Sequence, residues 1–314
     1  MKSGILVTLL LALATATGYS QSIAPQNNLV KITGVRFAYP LVQQWIDSYV
    51  REYPDQQVII ESRGSYDPVE YDILIEAYEH SDDIKRGREY VYIARYAVLP
   101  VANSASGFAR TYGAKGVDED LIKQIFFHDI LADTENQRTI KAPYTLYTRL
   151  QKAGTPSVFS HYYGYEQKDF KGKSIAGSDE HLRRALLADS TAVSYLPLSL
   201  IYDKETGRAV EGITVLPPDL NGNGRISDDE KIYDNLATAI QRLEATALKD
   251  LRNVPLAYLH FSVDRRNATP AAINFLRWVI ANGEKDLHEH GYLIAEPGKL
   301  EKEKFEQFAS KRGK

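Results

Sequence analysis

The sequence predicts an α/β protein of two domains joined by several chain crossovers. Short β-rich runs alternate with amphipathic helical stretches, 314 residues suffice for two domains, and no linker or internal repeat separates one part from another. Alternation of this kind favours a largely parallel sheet. In chain order, residues 30–32 are expected as a strand and 41–53 as a helix, because Leu41, Trp45, Ile46 and Tyr49 recur at helical spacing. Residues 58–60 and 71–75 have the composition of buried strands, and 90–101 of a longer one. A helix over 118–127, a strand over 144–149 and a helix over 179–188 follow, the last capped by Ser178. Residues 192–202 are expected as a strand. Ile232, Leu236, Ile240 and Leu243 form the apolar stripe of a docked helix over 231–248. A strand over 255–263, a helix over 270–280 and a charged helical tail beyond Pro297 complete the chain.

Composition narrows the function classes. The chain is 44% hydrophobic and 25% charged, an ordinary balance for a globular protein, and it has no cysteine. That excludes a disulfide framework, a thiolate metal site, a cysteine nucleophile and a lipid-modified cysteine anchor. A net charge of −3 with dispersed basic residues does not suit a nucleic-acid partner. Lys2, the apolar run over 4–14 and the small polar stretch over 15–20 make the three-part pattern of a signal peptide spanning residues 1–20, with cleavage after Ala16, Gly18 or, by preference, Ser20. The run is too short for a bilayer span of about 20 residues. The expected product is exported, not lipid-anchored and soluble.

The strongest local motif is residues 219–230, which match the calcium-loop pattern D-x-[DN]-x-[DN]-G-x5-E at every specified position. Asp219, Asn221 and Asn223 offer side-chain oxygens, Gly224 allows the sharp turn, Arg225 offers its carbonyl, Ser227 acts directly or through water, and Glu230 closes the shell. Pro217 and Pro218 exclude a helix entering the loop, whereas one is expected to leave it from Glu230. Two ligating carboxylates imply a weak, structural Ca2+ site; the alternative is a metal-free Asx-rich turn.

Several segments, in order, resemble the phosphate-binding proteins of ABC uptake systems. Residues 32–41 (Ile-Thr-Gly-Val-Arg-Phe-Ala-Tyr-Pro-Leu), followed by Trp45 and Tyr53-Pro54, are similar to that family's N-terminal turn and helix. Arg63-Gly64-Ser65 resembles its glycine-serine turn, and Asp72 an aspartate further on. Residues 149–155 (Arg-Leu-Gln-Lys-Ala-Gly-Thr), with Phe159, resemble its anion loop. Residues 192–196, 275–280 and His290-Gly291-Tyr292 resemble its later strand, C-terminal helix and Gly-Tyr turn. The resemblance implies a type II periplasmic-binding-protein fold, with two α/β lobes joined by crossover strands. Lobe 1 would take residues 21–102 and 255–314, and lobe 2 residues 103–254. It further implies a monomeric, non-enzymatic periplasmic protein that captures a small anion, phosphate by resemblance, for an ABC permease in the inner membrane. The implied ligand residues are Phe37, Ser65, Asp72, Arg149, Gly154 and Thr155, and Arg36 is expected with them as an added cation.

The pattern is also broken in places. Ala153 stands where the family has a ligand serine, Gln151 where an aspartate holds the arginine, and Arg36 where a small hydroxyl residue belongs. Hence the alternative reading, an exported, calcium-stabilised binding or sensing protein that no longer takes phosphate. No G-x-S-x-G, H-E-x-x-H or G-x-x-x-x-G-K motif supports catalysis, and a calcium-dependent hydrolase is the weakest reading. His288 and His290 are expected on a solvent-exposed face.

Overall fold

A computed structural model describes residues 28–62, 70–78, 86–128, 138–140, 142–300 and 302–312. The expected signal peptide and the Gly64-Ser65 turn lie outside these residues. Nine strands are described: β1 (Leu29–Gly34), β2 (Gln57–Ile60), β3 (Ile73–Glu76), β4 (Arg88–Asn103), β5 (Thr145–Arg149), β6 (Lys173–Ile175), β7 (Ala192–Pro197), β8 (Ile213–Val215) and β9 (Leu256–Asp264). The helices are α1 (Tyr39–Glu52), α2 (Gly107–Lys115), α3 (Glu119–Phe126), α4 (Gly154–Tyr162), α5 (Asp179–Ala188), α6 (Leu198–Ile201), α7 (Leu236–Ala245), α8 (Pro270–Asn282) and α9 (Lys302–Arg312).

The strands line up in the order β2-β1-β3-β9-β4-β7-β5-β6, with β8 also on β4. The sheet is mixed rather than largely parallel. β1 runs parallel to β2 and β3, and β5 parallel to β6 and β7, but β4 and β9 oppose their neighbours. The long strand β4 explains this. It pairs with β9 through Arg88–Ala97 and with β7 through Val98–Ala102, so one continuous strand belongs to two half-sheets. β4 is buried from Glu89 to Asn103, as a strand covered on both faces must be.

Each half-sheet carries helices that bury one stripe. α1 buries Leu41, Val42, Trp45, Ile46 and Tyr49, with the Trp45 ring edge-on to Phe261 at 6.1 Å and Tyr49 against Phe275 at 5.2 Å. In the other half, α3 contributes Phe126, which packs on Phe159 at 4.8 Å, and Phe159 stacks on Tyr195 at 4.9 Å. Burying one such ring contributes roughly 1.5–3 kcal/mol.

Two sequence expectations are corrected. The strand over 192–202 ends at Pro197, which has no N–H for a ladder and opens the short helix α6. The helix expected from 231 starts only at Leu236, where the Asn235 side chain accepts from the Ala237 N–H at 2.8 Å; before it, Glu230 ends a single 3₁₀ turn.

Gly34, at the end of β1, has φ +143°, and a Cβ there would lie 2.0 Å from the Ile75 carbonyl oxygen on β3. Neither backbone can yield without breaking the β1–β3 ladder. Gly34→Ala should therefore destabilise the protein by about 3 kcal/mol or more, measured by urea unfolding; a native midpoint would refute this close approach.

Candidate anion-binding cleft

The carboxyl ends of β1, β3 and β5 point to one place, the position where open α/β sheets bind ligands. A cleft of about 380 Å³ lies there. One wall is Gly34, Val35 and Arg36 after β1 with Ile75, Glu76 and Tyr78 at the end of β3; the other is the loop from Arg149 to Gly154 and the start of α5, Gly177 to Asp179. The walls touch: a Cβ on Gly154 would lie 2.7 Å from that of Ala77, so only glycine lets the start of α4 approach the opposite wall this closely. The α4 N-cap, Ala153, makes no side-chain cap bond. A helix start in this setting presents backbone donors and the positive end of its dipole to the cleft.

Arg149 is held in place on several sides. Its side chain is 10% exposed; Nε and Nη2 donate to the Gly177 carbonyl at 3.0 and 2.6 Å, and Nη1 donates to Asp179 Oδ2 at 3.0 Å. The fully buried Thr155 donates its hydroxyl to Asp179 Oδ1. Arg149 and Thr155 thus converge on one buried carboxylate. Burial pushes the Asp179 carboxyl up from its usual range, while the Arg149 charge and the Thr155 hydroxyl pull it back. Gln151, at the place where the family has an aspartate, accepts instead from the Gly177 N–H at 2.8 Å. Arg149 is held here by Asp179, thirty residues on in sequence.

Two further cations line the same cleft from opposite walls, Arg36 and Lys152. Among the described residues neither side chain has a hydrogen bond or ion pair. Glu76 is buried and accepts from the Ser262 hydroxyl at 2.5 Å.

The remaining expected ligand residues lie elsewhere. Phe37 is core: its ring meets Tyr96 at 5.2 Å, and its carbonyl accepts from the Tyr292 hydroxyl at 3.1 Å. Asp72 precedes β3 and accepts from the Lys31 N–H at 2.9 Å and the Thr269 hydroxyl at 3.3 Å. Glu76 lies four residues further on, about 13 Å along the strand, so Asp72 sits at the wrong end of β3 for the cleft. Ser65 lies outside the described residues. The cleft residues that the sequence reading missed are Lys152, Glu76 and Asp179; for the last, the only signal was the Ser-Asp-Glu start of a helix.

In the 219–230 loop, Gly224 has φ +78°, and Asn221 and Asn223 each accept the N–H two residues on, at 3.0 and 2.8 Å. Asp219 and Glu230 are 1% and 0% exposed, and neither has an ion-pair partner among the described residues. Asp219 Oδ2 takes one N–H, from Gly224, and so keeps room for a cation. Glu230 does not: its oxygens accept from the N–H groups of Leu220, Asn221 and Ser227 and from the Ser227 hydroxyl, filling the places a bidentate metal contact would use. The donor types fit calcium, but in this conformation Glu230 closes the loop on itself. His288 is exposed and bonds Glu244 at 3.0 Å, whereas His290 is only partly exposed and bonds Gln44 at 2.9 Å.

No protein-family model and no curated protein matches the sequence. Among solved structures, the chain is similar to a phosphate ABC transporter substrate-binding protein from Clostridium perfringens with bound phosphate (14% identity, TM-score 0.64, covering 85% of this chain and 100% of that one). It is also similar to an ABC-type phosphate transport receptor from Vibrio cholerae (11%, 0.55, 85% and 100%). A third match is the CcmR regulatory domain from Synechocystis in complex with 2-PG (12%, 0.50, 81% and 96%). The fold is the type II periplasmic-binding-protein fold. Transport receptors and a regulator share it, so the fold alone does not assign the ligand. Among the described residues no helix is long and apolar enough to cross a membrane.

Thr155→Val should leave one Asp179 oxygen without a donor and cost about 1–3 kcal/mol in denaturant unfolding. Unchanged stability would show that the hydroxyl contact is not made.

Proposed function

We propose that the chain is an exported solute-binding protein that holds an oxyanionic solute between its two lobes and delivers it to an ABC-type permease. The observation that supports this best is the composition of the cleft: Arg36 and Lys152 face it from opposite walls without partners among the described residues, beside Arg149 and an uncapped helix start. A cation on each wall lets a bound anion stabilise the closed arrangement, which is the energetic requirement for capture by closure. The transport proteins that share the fold support the permease as partner. Titration calorimetry with phosphate, sulfate, molybdate, tungstate, a phosphate monoester and a dicarboxylate should give saturable binding for at least one. That binding should weaken roughly tenfold or more in Arg36→Ala. Silence from the whole panel would overturn the reading.

Phosphate is the ligand the sequence resemblance implies, through Arg149, Gly154 and Thr155. One observation favours the alternative, a binding or sensing protein that does not take free phosphate. Asp179 already accepts from Arg149 and Thr155, and an anion placed about 4 Å from an ionised Asp179 would meet repulsion of ~4 kcal/mol at an effective dielectric of 20. The regulator in complex with 2-PG supports a role for this scaffold outside import.

We also propose that loop 219–230 binds Ca2+ as a structural ion. Two buried carboxylates without an ion-pair partner among the described residues support it, since buried charges are normally paired. The ion would have to draw Glu230 away from the loop's own donors, in keeping with weak, millimolar-range binding. Calcium at several millimolar should raise the thermal midpoint, and chelator should reverse the shift; superimposable melting curves would exclude the site.

A further inference from the structure

We propose that Asp179 serves as a built-in anion, occupying Arg149 and Thr155, so that the cleft takes an organic anion on Arg36 and Lys152 in preference to free inorganic phosphate. This rests on the reading of the cleft as an anion site and names its ligand class. Arg149 spends three N–H groups on Gly177 and Asp179, and Thr155 spends its only hydroxyl proton on Asp179. The Thr155 hydroxyl is therefore committed before a ligand arrives, and Arg149 keeps two of its five N–H groups. Asp179 cannot turn away freely: it is buried at the first turn of α5, and the segment leading into that turn is fastened at Gly177, which bonds both Arg149 and Gln151. Gly177 itself has φ +106°, and a Cβ there would lie 2.8 Å from the His181 ring, so the turn that presents Asp179 has little latitude.

Charge for a ligand remains elsewhere in the cleft. Arg36 and Lys152 have no partners among the described residues, so an acidic group bridging them displaces no internal ion pair. Space points the same way. About 380 Å³ lies within the range of small-molecule sites, roughly 300–1,000 Å³, whereas a five-atom inorganic ion fills only a small part of it. The ligand class that this charge and space favour is an anionic headgroup on a small organic body.

The test is calorimetry on the full chain with inorganic phosphate, glycerol 3-phosphate and succinate. At least one organic probe should bind the wild type roughly tenfold or more tightly than phosphate, and Arg36→Ala and Lys152→Ala should each weaken it by a similar factor. Asp179→Asn, which removes the internal charge, should tighten phosphate binding by roughly tenfold or more. Wild-type protein that binds phosphate as tightly as the organic probes, with no gain in Asp179→Asn, overturns the proposal. Should Asp179→Asn fail to fold, the two exposed-wall variants decide: phosphate preference with indifference to both also overturns it. No binding of any probe by the wild type would overturn the anion-cleft reading itself, and shows before any variant is made.

Discussion

A carboxylate removed from water must be met by donors or by a cation, and Asp179 is met by both. Arg149 reaches it from the end of β5, Thr155 from the first turn of α4, and Asp179 itself opens α5. Three elements of the second half-sheet are thereby pinned at one point. Breaking a buried pair of this kind by removing one partner costs about 3–5 kcal/mol, chiefly because the survivor is left charged and unpaired. The shape of the cleft wall, the direction of the α4 start and the availability of Arg149 all follow from this contact.

The crossover strand β4 sets the frame around it. Because one continuous strand pairs with β9 in one half and with β7 in the other, the half-sheets are joined through their backbones, and the cleft forms where the parallel flanks of both halves end. The close approach of Gly154 to Ala77 then brings the walls within reach of a single small ligand. A cleft built this way presents cations from both walls, Arg36 and Lys152.

Much of the frame was legible in the sequence. The α1 stripe of Leu41, Trp45, Ile46 and Tyr49 is buried as its spacing requires, and Ser178 marks the start of α5 through its capping box. Arg149, Gly154 and Arg36, all singled out in the sequence, line the same cleft. What was not legible depended on direction and distance. Motif matching placed Asp72 on the right strand but could not tell which end of β3 meets the cleft; Glu76 occupies that end. Asp179 is legible in the sequence only as the first residue of a helix, because its partners, Thr155 and Arg149, lie 24 and 30 residues away. The mixed sheet was missed for a similar reason: strands buried on both faces carry the same apolar signature whether they run parallel or antiparallel.

The most direct measurement is a crystal structure of the protein as purified, with no anion added. Asp179 should accept from Arg149 Nη1 and the Thr155 hydroxyl, with any co-purified ligand density on Arg36 and Lys152. Tetrahedral density bonded to Arg149 and Thr155, with Asp179 turned out of the cleft, would contradict this.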